Sequence, residues 1–158
     1  MDAVESRFLF KMEGELEVPF IPVGASPEGL RIVANLAGGT FEGPKLKGTL
    51  ARSGGDWGLT RPDGTFKLDV RCCLMPEEGT PIYMQYSGRI VVHGQDLLTV
   101  LGDPVKAAAL KPSDYYFRTA PTFEVAMDSP HAWLNGVQAV GVGTISDKGI
   151  SYRVYEVL

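Results

Sequence analysis

The sequence predicts an all-β protein in which the chain forms a single closed, mainly antiparallel β-barrel of about eight or more strands. Apolar residues recur with period two, as in residues 30–36 and 68–74, which is typical of strands buried on one face. Turn signals that contain glycine, such as residues 62–64 and 77–79, separate these stretches and indicate hairpins. A sheet of this length with 19 glycines is expected to close, because closure removes its unpaired edges.

In chain order, the alternating stretches predict strands over residues 7–18, 29–36, 40–52, 65–75, 81–93, 115–127, 136–146 and 149–157. The short turns between them make most neighbouring strands antiparallel. Residues 96–110 differ, because their apolar positions are spaced as on a helix and a Gly-Asp-Pro sequence at 102–104 interrupts them. We therefore expect a short helical insertion near 96–110, which is either a lid over one barrel mouth or a plug that completes the core.

Length and composition predict one domain over residues 1–158. A chain of this length buries about 68–70% of its unfolded surface. The 44% hydrophobic and 22% charged content excludes intrinsic disorder. The net charge of −4 and the lack of a Lys/Arg run argue against nucleic acid and membrane as partners. A homodimer is left open.

The two cysteines indicate the compartment. Cys72 and Cys73 are adjacent in a predicted strand, so their side chains are expected on opposite faces as free thiols. Free thiols are typical of a reducing compartment. The N-terminal residues lack the apolar region of a signal peptide, and no run of about eighteen apolar residues occurs. We expect a cytoplasmic protein that is neither exported nor anchored.

Several common catalytic motifs do not occur in the sequence. There is no glycine-rich phosphate loop between a strand and a helix and no Gly-x-Ser-x-Gly elbow, so neither a nucleotide cofactor nor a serine nucleophile is indicated. His93 and His131 are the only histidines, and both are expected on the surface. Glu77 and Glu78 are expected in a solvated turn. The sequence therefore predicts no metal and no cofactor.

Asp56 and Trp57 follow two glycines at the end of a predicted strand. A carboxyl group packed against an indole in a barrel mouth has its charged form disfavoured, which raises its pKa toward that of a useful general acid or base. The alternative is that Asp56 accepts hydrogen bonds from backbone amides in a turn.

Two neighbouring strands carry polar pairs on one face, Asp69 with Arg71 and Tyr83 with Gln85. If the apolar residues of these strands pack under flanking elements, the polar pairs line the lumen and Arg71 is a clamp for an anion or carbonyl group. If the apolar residues fill the lumen, Asp69 and Arg71 form an exposed ion pair and the Tyr83 side chain decorates the surface. Alternation along a strand does not say which face lines the lumen, so both readings stay open.

Tyr116 and Arg118 share one face of a later strand. A phenol beside a guanidinium can stabilise an oxyanion, the phenol by donating a hydrogen bond and the guanidinium by its charge. The alternative is an arginine stacked on aromatic rings to fix a strand end.

Four further residues follow this pair along the chain. Phe123 and Glu124 lie later in the same predicted strand. Trp133 and Asn135 come after a turn and are expected to point together toward a strand entrance. There Asn135 either holds a water or a carbonyl group or forms a turn.

Three sequence motifs occur in order along the chain: residues 38–48, then residues 54–57 with 69–71, and then residues 115–119 with 133–135. Together they resemble the family called domain of unknown function 3237, and the resemblance covers nearly the whole chain. It implies a β-barrel similar to the calycin and allene-oxide-cyclase-like barrels, which enclose a small apolar ligand. The positions that match the family pattern are Gly39, Gly43, Gly48, Gly55, Asp56, Trp57, Asp63, Gly64, Asp69, Arg71, Gly88, Tyr116, Phe117, Arg118, Phe123, Glu124, Trp133, Leu134 and Asn135.

The resulting hypothesis is a cofactor-free isomerase or cyclase that binds a small hydrophobic, aromatic or polyketide-like compound in the lumen. It would act by acid/base catalysis, and an intramolecular conjugate addition of the chalcone-isomerase type, as in flavonoid secondary metabolism, is favoured. The expected catalytic residues are Tyr116, Arg118, Asp56 and Glu124. The expected substrate-binding residues are Trp57, Asp69, Arg71, Tyr83, Gln85, Phe123, Trp133 and Asn135. The alternatives are a non-catalytic lipocalin-like carrier and a scaffold barrel whose lumen is filled by side chains.

Overall fold

A computed structural model of the protein describes residues 2–146 and 149–158 and confirms the predicted fold class. In these residues the chain forms a closed barrel of eight antiparallel strands, with two extra strands and two short helices. The strands are β1 (Ser6–Leu16), β2 (Ile21–Ser26), β3 (Gly29–Glu42), β4 (Lys47–Asp56), β5 (Leu59–Thr60), β6 (Phe66–Pro76), β7 (Ile82–Val92), β8 (Tyr115–Val125), β9 (Ala139–Ser146) and β10 (Gly149–Val157). The α-helices are α1 (Leu97–Leu101) and α2 (Pro104–Ala109), and short 3₁₀ turns cover Pro112–Asp114 and Ala132–Gly136.

The barrel closes through a pairing of its first and third strands. Around the barrel the strand order is β1-β10-β9-β8-β7-β6-β4-β3, and β3 pairs with β1 to complete the circle. The extra strand β2 pairs with β3, and β5 pairs with β3 and β6. Closure leaves these eight strands without a free edge, which is the physical reason that a glycine-rich sheet of this length adopts a barrel.

The predicted strand over residues 40–52 is wrong. The chain remains in β3 until Glu42, turns at residues 43–46 with a hydrogen bond from Gly43 N to Leu46 O, and enters β4 at Lys47. The predicted strands end at 36 and begin again at 40, but Gly38 and Gly39 lie inside β3. A Cβ on Gly39 would stand 2.2 Å from Glu13 O, so glycine here permits β3 to approach β1 closely.

One end of the barrel is filled by aromatic side chains, and we call it the packed end. The ring of Phe10 meets Phe41 edge-on with 5.7 Å between centroids and Phe123 with 6.2 Å. All three rings are buried. Edge-to-face contacts of this kind add to the stabilisation from burial. This end therefore belongs to the hydrophobic core.

The helical insertion covers the opposite end, which we call the mouth. Leu97 and Val100 of α1 are buried, so this helix fills part of the mouth in the manner of a plug. Asp96 and Asp103 cap the starts of α1 and α2 by accepting hydrogen bonds from backbone amides. In the described part of the chain, no helix is long and apolar enough to cross a membrane.

Candidate functional site

A small cavity occupies the lumen near the mouth. Its volume is about 50 Å³. That volume holds one or two water molecules and is well below the ~150 Å³ of a cavity that takes up benzene. Its walls are mainly apolar, with two phenols, a thiol and one carboxyl group among the lining residues: Met12, Gly14, Leu16, Leu36, Leu50, Gly55, Asp56, Val70, Cys72, Tyr86, Ile150 and Tyr152.

A larger groove lies outside this cavity, between the barrel rim and the helical insertion. Its volume is about 700 Å³, and Leu98, Leu101 and Ala107 of the helices form one side. Groove and cavity share Gly14, Leu16 and Ile150 as lining residues, of which Leu16 and Ile150 carry side chains. The groove therefore leads from solvent toward the lumen, and these two side chains stand at the boundary.

Asp56 projects into the lumen because of its position in the sheet. It is the last residue of β4 and pairs directly with Ala34 of β3 and Val70 of β6. Both partners are buried on the inner face. Residues that stand opposite each other in a ladder share a face, so the carboxyl group points inward with them.

The carboxyl group of Asp56 has an unusual protonation equilibrium. Its pKa is raised from 3.8 to about 6, mainly by burial and in smaller part by the negative charge of Asp69. The hydrogen bond from Asp69 N to Oδ1, at 3.0 Å, and the positive charge of Arg31 act in the opposite direction. Arg31 is held nearby by its hydrogen bond to Trp57 O. A carboxyl group with such a pKa can take up and release a proton near neutral pH.

Two buried tyrosines line the same cavity. The rings of Tyr86 and Tyr152 meet edge-on with 5.4 Å between centroids. Burial raises the pKa of both phenols well above the usual value of 10.0. Both side chains therefore remain protonated near neutral pH, as neutral hydrogen-bond donors in an apolar wall.

Cys72 also lines the cavity, while Cys73 is half-buried on the other face of β6, so the prediction of two free thiols on opposite faces is confirmed. Burial raises the pKa of Cys72 to about 12, and the neighbouring Cys73 contributes in the same direction. The thiolate is the nucleophilic form of cysteine. Cys72 is therefore an inert part of the wall at neutral pH.

Tyr116 and Arg118 do not line the lumen, which corrects the expectation for this pair. They alternate along β8 with buried residues, and Tyr116 is 50% exposed on the outer surface. The Arg118 guanidinium lies 5.1 Å from the centroid of the Tyr116 ring and donates to Phe117 O. The inner face of β8 is occupied by buried, mainly apolar side chains such as Phe117 and Phe123, so the arginine stacks on an aromatic ring outside, as in the alternative reading.

The polar pairs of β6 and β7 also face outward. Arg71 is exposed and lies 5.6 Å from the centroid of the Trp57 ring. Tyr83 donates a hydrogen bond to Gln85 across the outer surface. Asp69 faces the same side, and its backbone, not its carboxyl group, reaches Asp56. The apolar residues that alternate with these polar residues fill the lumen, and they decide which face of each strand is inside.

Four more predicted site residues lie at the packed end, away from the cavity. Phe123 is part of the core, and Glu124 is exposed on the outer face of β8. Trp133 sits under the ammonium group of Lys45 at 4.9 Å from the ring centroid. The side chain of Asn135 accepts a hydrogen bond from the N–H of Val125 and donates one to its C=O, so its role is structural.

The structure brings Asp56 together with three residues that were not assigned to the site: Cys72, Tyr86 and Tyr152. Tyr86 lies on the buried face of β7 together with the apolar residues Ile82 and Met84. A tyrosine within an otherwise apolar stripe was the available signal. Tyr152 lies on β10, far away in sequence, and only closure of the barrel sets it beside Tyr86.

His131 differs from its expected position on the surface. It is 8% exposed, and its Nε2 pairs with the carboxylate of Glu78. This pair ties the turn after β6 to the segment after β8 at the packed end. Within residues 2–146 and 149–158, no group of three or more His, Cys, Asp or Glu side chains is arranged to hold a metal ion.

Comparisons with known proteins place these features in a family. The model of the family described as "Protein of unknown function (DUF3237)" matches residues 4–157. A UPF0311 protein from Rhodopseudomonas palustris is 25% identical over 157 residues, which cover 98% of this chain and 97% of that protein.

Two solved structures are similar to the barrel. The crystal structure of a beta-barrel like protein from Acinetobacter baumannii has a TM-score of 0.82 and 29% identity, with 100% of this chain and 98% of that chain covered. The crystal structure of an enzyme from Penicillium herquei has a TM-score of 0.73 and 19% identity, with coverage of 100% and 97%. At that identity the second likeness concerns the fold alone.

Proposed function

Because this chain belongs to the DUF3237 family of proteins of unknown function, whose label names no reaction, we propose from the site itself that it is a cofactor-free isomerase or cyclase. The substrate is a small, mainly apolar compound that carries a hydroxyl group and a conjugated carbonyl group. One observation carries the proposal: a carboxyl group with a pKa of about 6 lies in an apolar cavity beside two neutral, buried phenols. The similarity in fold to an enzyme from Penicillium herquei agrees with a catalytic role for such a barrel.

The reaction that suits these groups is an intramolecular conjugate addition. The Asp56 carboxylate takes the proton of the substrate hydroxyl group, and the oxygen bonds to the β-carbon of the enone. The electrons of the double bond move onto the carbonyl oxygen, where hydrogen bonds from Tyr86 and Tyr152 stabilise the enolate. Protonated Asp56 then returns the proton to the α-carbon. Atoms and electrons balance without an oxidant, a reductant or a second substrate.

The shape of the site limits how a substrate binds. The cavity of about 50 Å³ is too small for an aromatic ring, whereas the groove of about 700 Å³ has the size of an ordinary ligand pocket. In this proposal the body of the substrate lies in the groove, and its reacting end passes between Leu16 and Ile150 to reach Asp56. Holding both reacting groups of one molecule in a folded shape supplies much of the rate enhancement.

A non-catalytic carrier is the second candidate, and the groove is the observation that favours it. Its lining is mainly apolar, with Leu98, Leu101, Phe20 and Ile32 among the contacts. Such a surface binds a hydrophobic ligand without any need for the carboxyl group beneath it. The two candidates therefore differ in whether Asp56 matters for the fate of the ligand.

The test is incubation of the protein with 2′-hydroxychalcone and a panel of hydroxy-enones, followed by chiral chromatography of the released compounds. Native mass spectrometry of the same mixtures reports binding. We expect stereoselective cyclisation above the buffer rate. Asp56→Asn is expected to lower kcat by about 10²–10⁴-fold, and Tyr86→Phe or Tyr152→Phe by about 10²-fold.

Tyr116→Phe is the matched control, because it removes a phenol from the outer surface of the barrel. Its kcat is expected to equal that of the unmodified protein. Ligands that bind and are released unchanged would support the carrier. Cyclisation that survives in Asp56→Asn would remove the proposed mechanism.

A further inference from the structure

Three basic side chains stand in one row on the outer surface of the barrel. Lys67 of β6 pairs with Arg89 of β7, and Arg89 pairs with Arg118 of β8. Each lies between buried residues of its strand, so all three side chains point outward. We call these three residues the cationic row. Paired residues on adjacent strands have Cβ atoms about 4.5–5.5 Å apart, so three positive charges follow one another at the spacing of the strands.

The charges of the row are not neutralised by ion pairs among the described residues. In the part of the chain that the structure describes, none of the three forms an ion pair with a carboxylate. Arg89 and Arg118 donate instead to the backbone carbonyl of the residue that precedes each. Like charges directly opposite each other in a sheet destabilise it. In a chain with a net charge of −4, this arrangement works against folding and calls for another explanation.

The surroundings of the row have the composition of a protein interface. Tyr116 is 50% exposed and lies under the Arg118 guanidinium. On the same outer face, Arg71 lies over Trp57 and Tyr83 presents its ring. Arginine and aromatic side chains are enriched in protein–protein contacts and supply most of their binding energy. Such a face suits a partner that brings carboxylates.

Other anionic partners fit this face less well. A nucleic acid is bound through many phosphate contacts, whereas the row offers three cations on a chain of negative net charge. The outer surface of a barrel is convex, so a flat lipid surface meets only part of it.

A second copy of the chain fits less well, although Asp69 and Glu124 lie on the same outer face as the row. The exposed Glu13 and Glu15 lie on β1, four strands away from β7 in both directions around the barrel. Contacts between opposite faces are head-to-tail and generate rings or open filaments, not a two-fold dimer.

We propose that the cationic row, with Tyr116 beside it, is a docking site for an acidic surface of another protein. The guanidinium groups receive carboxylates of the partner by charge-assisted hydrogen bonds, and the phenol packs against its side chains. The row lies outside the lumen, so docking leaves the mouth and the groove accessible.

The experiment measures binding of a fluorescein-labelled octaglutamate peptide by fluorescence anisotropy, with octaglutamine as the uncharged comparison. Binding of octaglutamate is expected at about 0.02 M salt and weaker binding at about 0.15 M, because screening grows with ionic strength. The double variant Arg89→Gln/Arg118→Gln is expected to lower the affinity about tenfold. Lys106→Gln removes an exposed lysine on α2 and is the matched control, with unchanged affinity.

Three results would overturn the proposal. The first is equal binding of octaglutamate and octaglutamine, and the second is unchanged affinity in the double variant. The third is stronger binding of single-stranded DNA, or of vesicles that contain phosphatidylglycerol, with the same dependence on Arg89 and Arg118. That third result would assign the row to a nucleic acid or a membrane. Thermal unfolding of both variants shows that they are folded before binding is measured.

Discussion

Asp56 accepts a hydrogen bond from the backbone N–H of Asp69, and the bond holds its carboxyl group against the lumen side of the barrel. In the described part of the chain, no other residue donates a hydrogen bond to this carboxyl group. One donor is too little to offset the loss of water around a buried carboxylate, so the pKa rises to about 6. The same contact thus fixes the position of the group and leaves its charge poorly stabilised.

The first prediction concerns stability. The folded-state pKa of Asp56 lies above its unfolded value, so the folded protein binds the proton more tightly and loses stability as the pH rises from about 4 to about 6. Asp56→Asn removes the charge and keeps an oxygen for the Asp69 N–H. We expect the variant to gain up to about 3 kcal/mol over the unmodified protein at pH 8, and little at pH 4.

Urea unfolding at both pH values measures this gain. Asp63→Asn is a suitable comparison, because Asp63 is exposed and bonds to Thr65 and Arg61, which lower its pKa. A gain for Asp56→Asn that is equal at pH 4 and pH 8 would contradict the raised pKa.

The second prediction concerns the pH dependence of catalysis. If the Asp56 carboxylate is the base, kcat/KM for a substrate that cyclises falls about tenfold for each pH unit below about 6. It is flat between about 7 and 9, because burial keeps the two phenols protonated there. A profile measured by product formation tests this. A rate that rises as the pH falls below 6 would assign Asp56 the role of an acid.

The third prediction concerns Asn135, which the sequence suggested as a substrate-orienting residue. Its side chain satisfies both backbone groups of Val125 at the end of β8. Asn135→Ala is expected to lower the free energy of unfolding by about 2–3 kcal/mol, since two hydrogen bonds are lost. Ligand binding at the mouth, measured by native mass spectrometry, is expected to be unchanged. Weaker binding with intact stability would restore the sequence-based role.

The fourth prediction concerns the cationic row. Arg89→Glu sets a carboxylate between Lys67 and Arg118, so that repulsion on both sides becomes attraction. We expect a gain of about 0.5–1 kcal/mol in the free energy of unfolding at low salt, and a smaller gain at about 1 M salt. Arg89→Gln separates the relief of repulsion from the new attraction and is expected to lie between the two. A loss of stability in Arg89→Glu would show that the row is not under electrostatic strain.

Much of the barrel was predictable because its causes are local. The period-two alternation of residues 68–74 and 81–93 follows from the pleat of a strand, and hairpins follow from Gly-containing turns. The helical insertion was recognisable from its spacing. The gap between the predicted strands at 29–36 and 40–52 was wrong, and glycine is ambiguous there, because it marks both turns and close approaches of two strands and Gly39 belongs to the second kind.

The candidate site was predictable only in part. For Asp56 the sequence left two possibilities open, a raised pKa beside an indole and hydrogen bonds from backbone amides; the structure shows a pKa raised by burial together with a bond from Asp69 N. The roles given to Tyr116 and Arg118 depended on which face of β8 lines the lumen, and alternation defines two faces without saying which is inside. The phenols in the lumen, Tyr86 and Tyr152, belong to strands that are far apart in sequence.

By itself, then, the sequence determined the fold class and most of the strands, because alternation and turns depend on neighbours along the chain, and it offered Asp56 as one candidate among several. The tertiary structure decided which face of each strand is inside, because the lumen takes the face that buries more apolar surface. It also decided that Asp56, Tyr86 and Tyr152 share one cavity and that Arg89 and Arg118 share one outer row. Both groupings depend on the register of the paired strands around the closed barrel. No single segment of the sequence specifies that register.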